Sequence, residues 1–160
     1  MKTNICTSRE QSDRLLNCGV SADSADMCYY HVDDCINNSD KPVYNTPKEQ
    51  FDFLAGCGFG DYRIHITPAW SLSRLFELLP KSIISPMGND YRLELSTSRM
   101  HDEWEVQWTY NCGRFHTYDN QRVFHKLWYA SPIEACVKAI EWLTECGYQL
   151  NDIEKGGEDE

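Results

Sequence analysis

Two short segments at the centre of the chain constrain it most. In Tyr91–Thr97 the residues Tyr91, Leu93 and Leu95 alternate with Arg92, Glu94 and Ser96. In Glu103–Tyr110 the apolar set is Trp104, Val106, Trp108 and Tyr110. A period of two is that of a β-strand with one face buried and the other wet. The connection Ser98–Asp102 is of hairpin length, which predicts an antiparallel pair packed on one side. A third segment, Arg122–Tyr129, carries Val123, Leu127 and Tyr129 on one parity and Phe124 and Trp128 on the other. Its second face is therefore either covered by another element or left as an exposed aromatic patch.

Helices are predicted on both sides of this region. Ser131–Pro132–Ile133–Glu134 combines an N-cap serine, a proline at the first helical position and a capping-box glutamate. Behind it Ile133, Cys136, Val137, Ile140, Leu143 and Thr144 recur with helical period, and Gly147 closes the segment. Upstream, Ser71 precedes Leu72, Leu75, Phe76 and Leu79, and Pro80 stops that helix. Near the start, Thr7 with Glu10 and Ser8 with Gln11 offer two capping boxes for a helix over Ser8–Cys18, ended by Gly19. The fold class expected is α+β: an antiparallel sheet of three to five strands packed against amphipathic helices, resembling an α-β-α sandwich.

Residues 1–150 read as one domain, with a helical segment over 1–32, a loop over 33–50 and the sandwich core over 51–150. In the first segment, Met27, Tyr29 and Tyr30 suit a strand or a helical turn. The stretch Asp33–Lys48 is rich in Asp, Asn, Ser and Pro, the residues of turns. Tyr62–Thr67 alternates like a strand. The spaced glycines of Gly56–Cys57–Gly58–Phe59–Gly60 read as a turn or bulge, because the strand that follows is not the helix a phosphate loop requires.

Charge bears on partners. The 160 residues carry 15 Lys+Arg and 25 Asp+Glu, a net charge of −10. Residues 151–160 hold one base and five acids and are expected to form a disordered acidic tail, while residues 51–130 hold eight bases and nine acids. With no basic cluster to neutralise phosphates, the composition argues against direct nucleic-acid binding. The apolar runs are too short for a membrane helix, and the first residues lack the apolar core of a secretory signal. Self-association into a homo-oligomer stays open.

Eight cysteines without such a signal imply free thiols in a reducing, cytoplasmic setting. Cys28, His31 and Cys35 are the candidate metal ligands, for zinc, with a fourth from Cys18 or Cys57. Ordinary buried thiols are the plainer reading. Cys57, flanked by glycines, with His65 eight residues on, is the one candidate nucleophile–base pair, although no residue pattern marks a catalytic centre. Trp128 and Trp142 fall off their apolar stripes, and Phe124 shares the parity of Trp128. These three are the candidate partner-binding residues.

Three blocks carry a resemblance. They are Ile5–Ser12, continuing through Ser24–Met27; Pro68–Pro80; and Ser131–Ile140, with the strand Trp104–Val106 between the last two. Together they resemble small uncharacterised proteins of gut Bacteroidales and their phages or prophages, and are similar to the phage ABA-sandwich domain. The resemblance implies a helix–sheet–helix module and brings no catalytic residues. The function expected is a phage- or prophage-derived accessory protein, a non-enzymatic interaction module for a host or phage protein. The alternative is a small-ligand or zinc-binding domain acting as a Cys/His hydrolase.

Overall fold

The computed structural model describes residues 4–33, 39, 41–84, 86, 88, 90–97, 104–111, 121–129 and 131–151, with the backbone alone for 95–97, 104–111 and 121–128. Two compact units divide between Phe76 and Glu77, the second ending at Asp152, where the sequence reads a single domain.

The first unit opens with α1 (Arg9–Asn17), whose N-cap uses one of the two boxes offered. Ser8 Oγ accepts from Gln11 N, and Gln11 Oε1 accepts from Ser8 N at 2.9 Å. Thr7 is spent differently. Fully buried, it accepts from Trp70 N at its Oγ1, donates its own N–H to Trp70 O, and shares a hydroxyl bond with Ser12. At the other end Gly19, at φ +87°, closes a Schellman turn: Val20 N donates to Leu15 O, Gly19 N to Leu16 O, and Val20 and Leu15 are both buried.

Strands β1 (Met27–Val32) and β2 (Ile64–Ala69) form an antiparallel two-stranded sheet in the register Met27↔Ala69 to Val32↔Ile64. Met27, Tyr29 and Tyr30 thus belong to a strand, not to a helical segment reaching residue 32. The segment 33–50 is not all loop either. Thr46 and Glu49 form a reciprocal capping box with Pro47 at the first helical position, opening α2 (Pro47–Leu54), which runs on through a π-turn over Ala55–Phe59. Ahead of it, Val43 exchanges backbone hydrogen bonds with Cys28. Residues 34–38 and 40 lie outside the described residues.

Helix α3 (Leu72–Leu78) leads from the first unit into the second. Ser71 caps it as expected, accepting from Arg74 N, while Asp26 takes both the N–H and the hydroxyl of Ser71. Its buried stripe is Leu75, Leu78 and Leu79, with Phe76 exposed instead of buried.

The second unit is a four-stranded antiparallel sheet in the order β3 (Ser82–Ile84), β4 (Asp90–Thr97), β5 (Trp104–Asn111), β6 (Gln121–Tyr129). The described strands are therefore divided between two sheets. The α+β class holds, and the central pair is antiparallel in the register Leu93↔Trp108, Leu95↔Val106. Leu93 and Leu95 are thus paired with apolar residues across the ladder, a match that favours this register, while Trp104 is paired with Thr97. Helix α4 (Pro132–Glu145) lies against β5 and β6 and buries Ile133, Ala135, Cys136, Val137, Ala139, Ile140 and Leu143. Thr144 is exposed and bonds back to Ile140 O, while Ala135 and Ala139 widen the buried face. Its end repeats the turn of α1, with Gly147 at φ +78° and Tyr148 N donating to Leu143 O. Asn151, the first residue of the expected acidic tail, is anchored: its Nδ2 donates to the carbonyls of Glu77 and Leu79 and its N–H to that of Leu78. The rest of the tail lies outside the described residues.

Candidate functional site

The face of the β1–β2 ribbon that carries odd-numbered residues changes character rung by rung. Met27 and Ala69 pair at one end and pack with Cys6 in an apolar cluster that Tyr29 joins. One rung on, Tyr29 lies opposite Thr67. The Arg9 guanidinium stands 4.7 Å over the Tyr29 ring and donates to Thr67 Oγ1 and to Ser39 O. The tyrosine hydroxyl donates to Thr7 O, and burial pushes its pKa up to about 12. The third rung is His31 opposite His65.

This last rung brings three titratable side chains together. His31 Nε2 is 3.1 Å from one carboxylate oxygen of Asp33, and His65 Nε2 is 3.1 Å from the other. The ring centroids stand 5.7 Å apart. Strand alternation points both imidazoles to one side, and Asp33 is placed just past β1 by its N–H donating to Arg63 O. Both histidines remain 46% exposed and Asp33 40%. The hydrogen bond from His65 is the main reason the Asp33 carboxyl is held below its usual range, with the charges of His65 and His31 adding to it.

The same alternation separates the expected zinc ligands. Cys28 is fully buried with Val32 on the even-numbered face, whereas His31 is on the odd-numbered face in the grip of Asp33. Burial also pushes the Cys28 thiol up to about 11, away from the thiolate a metal requires. Cys35 lies outside the described residues. Among the described residues no three His, Cys, Asp or Glu side chains converge on a metal position. Cys57 is exposed in the π-turn, and His65 hydrogen-bonds Asp33.

Of the three expected partner-binding aromatics, Trp142 is half-buried with its ring centroid 5.9 Å from that of Tyr148. Trp128 is paired in register with Glu105. Phe124 falls at the irregularity where β6 runs from His125, opposite Trp108, to Val123, opposite Thr109. The side chains of Phe124 and Trp128 lie outside the described ones.

The aromatic residues that are visibly exposed lie elsewhere. Phe51 and Phe53 of α2 are 47% and 60% exposed, Tyr44 ahead of the helix 78% and Tyr62 beyond it 48%, with Phe59 and Tyr62 in ring contact. Helix α2 buries only Gln50 and Leu54. Turning 100° per residue, it carries Phe51 and Phe53 on either shoulder of that narrow buried stripe. The Thr46–Pro47–Lys48–Glu49 start was the available sequence signal. Read as the opening of a helix, it leaves the two phenylalanines off the buried face. No protein-family model, curated protein or solved structure matches this chain.

Proposed function

We propose that the protein is a non-enzymatic, cytoplasmic interaction module, accessory to a phage or prophage as the resemblance implies. In this reading it binds a host or phage protein through the aromatic side chains of α2 and its flanks. The observation that carries the reading is the exposure of Phe51 and Phe53 on a helix with so small a buried stripe. Full burial of one such side chain contributes roughly 1.5–3 kcal/mol, which stays unrealised until something covers the ring. Exposed Lys48, Glu49, Asp52, Asp61 and Arg63 are interleaved with these rings in sequence, so the matching partner surface is an apolar groove bordered by charges of both signs.

The test is quantitative affinity capture from Bacteroidales lysate, infected and uninfected, comparing the wild-type chain with the double variant Phe51→Ser, Phe53→Ser. Since neither ring is buried, the variant should melt within a few degrees of wild type. A protein enriched by wild type and reduced at least about tenfold with the variant, the effect of losing about 1.4 kcal/mol, supports the proposal. Identical captured sets from two folded proteins contradict it.

A further inference from the structure

The hydrogen-bonding parity of the β1–β2 ribbon leaves one of its edges open. Asp33 N donates to Arg63 O directly across the ribbon, whereas Cys28 exchanges bonds with Val43 and Tyr30 with Ser39 on the outer side of β1. Odd-numbered residues therefore bond within the ribbon, and the even-numbered residues of both strands turn away from it. On β2 these are Ile64, Ile66 and Pro68. The N–H and C=O groups of Ile64 and Ile66 have no hydrogen-bond partner among the described residues. Both side chains are half-buried, and Arg63 and His65 beside them are exposed. Unpaired groups in a row on a sheet edge are a template for another strand.

We propose that β2 pairs with β2 of a second copy of this chain, antiparallel and centred on His65, so that two ribbons join into one four-stranded sheet.

The ends of the open stretch select a second copy over a foreign strand. Pro68 has no N–H to give, and beyond it the edge is taken, with Thr7 N donating to Trp70 O and Cys6 bridged to Ser71. At the other end the N–H of Tyr62 is spent on Phe59 O. In the register centred on His65, Ile64 lies opposite Ile66 of the second copy and Ile66 opposite its Ile64. Each of these pairs exchanges two hydrogen bonds, which satisfies all four donors on the joined edges. Tyr62 lies opposite Pro68, so the two residues that have no N–H to offer meet each other. The same patch is used on both copies, as two-fold closure requires. The facing isoleucines also cover each other's exposed parts, the cross-strand apolar contact that stabilises a sheet.

The experiment is sedimentation velocity of the full chain from about 10 μM to about 1 mM, with amide hydrogen exchange read at both ends of that range. The expected result is a monomer–dimer equilibrium with a Kd of roughly 0.1–1 mM, as suits a small interface. At the higher concentration the amides of Ile64 and Ile66 should exchange more slowly by about threefold, following the dimer fraction. Residue 65 of each copy faces residue 65 of the other in a non-hydrogen-bonded pair, with Cα atoms about 4.5 Å apart, within reach of a disulfide. With glutathione disulfide as oxidant, His65→Cys should therefore give a dimer in which mass spectrometry finds residue 65 joined to residue 65. Arg63→Cys, which this register sets opposite Thr67, should form its own symmetric bridge at least about tenfold more slowly. Both substituted side chains are exposed, and the exchange rates of the wild-type chain stand independently of them. The proposal is overturned if the wild-type chain stays monomeric throughout, if it dimerises with the Ile64 and Ile66 rates unchanged, or if Arg63→Cys bridges as fast as His65→Cys.

Discussion

Cys136 sits in the buried face of α4 with no exposed surface, and burial pushes its thiol up to about 12. The Cys28 thiol is pushed up to about 11 and that of Cys6 is raised by the same cause. Cys57 and Cys146, by contrast, are exposed free thiols. Because the thiolate is the reacting species and must also be reached, labelling should divide the described cysteines sharply. With a maleimide at neutral pH and peptide mass spectrometry, Cys57 and Cys146 should label within minutes, and Cys6, Cys28 and Cys136 only on unfolding. Fast labelling of Cys28 would contradict its place beneath the even-numbered face of the ribbon. At Asp33 the sign of the pH effect is fixed. Its pKa is lowered on folding, so its contribution to stability is fully present above the ordinary value of 3.8 and disappears as pH falls through the folded value. The melting temperature of Asp33→Asn should therefore lie below that of wild type at pH 6 and meet it in stronger acid. A gap that persists unchanged in acid would show that the His65 and His31 bonds are not its source.

At the scale of elements, two helices share one opening formula. Thr46–Pro47–Lys48–Glu49 and Ser131–Pro132–Ile133–Glu134 each place a hydroxyl cap, a proline and a glutamate in the same order, and in both the cap oxygen accepts from the glutamate N–H. The second is legible in sequence because a long apolar stripe follows it. The first is obscured because α2 lasts eight residues, buries two of them and sits among turn-forming Asn, Asp and Pro. The cap is a local signal and was present in both places. Burial is not local, and it separates Leu78 from Phe76 in α3 although both fit a helical period. Replacing either cap by alanine should cost about 1 kcal/mol. Thr46→Ala should show the loss chiefly as faster amide exchange in α2, and Ser131→Ala as a lower global melting temperature, since α4 carries the buried face of the second unit. Equal exchange rates in Thr46→Ala and wild type would remove the capping box as the cause of α2.

At the scale of the whole molecule, alternation in the central strands was enough to give the antiparallel pairing of β4 and β5 and, with the helix signals on both sides, the α+β class. It could not give the number of sheets. Met27–Val32 and Tyr62–Thr67 are short and mixed in character, and only their pairing makes a second sheet that sets His31 beside His65. The same is true of the candidate site: each histidine read alone looks like a surface residue, and 34 positions separate the two. What the sequence did contain, the net charge of −10, is concentrated most densely in the last ten residues and speaks to solubility more than to recognition. In the proposed function, recognition falls instead to a few aromatic side chains around α2.

The most direct measurement of that claim is site-specific photo-crosslinking in host cells, with benzoylphenylalanine placed at Phe53 or, as a control, at the exposed Ser82 of β3. The account predicts a discrete crosslinked adduct from position 53, lost when Phe51 is also changed to serine, and none from position 82. An adduct from position 82 with none from position 53 would contradict it.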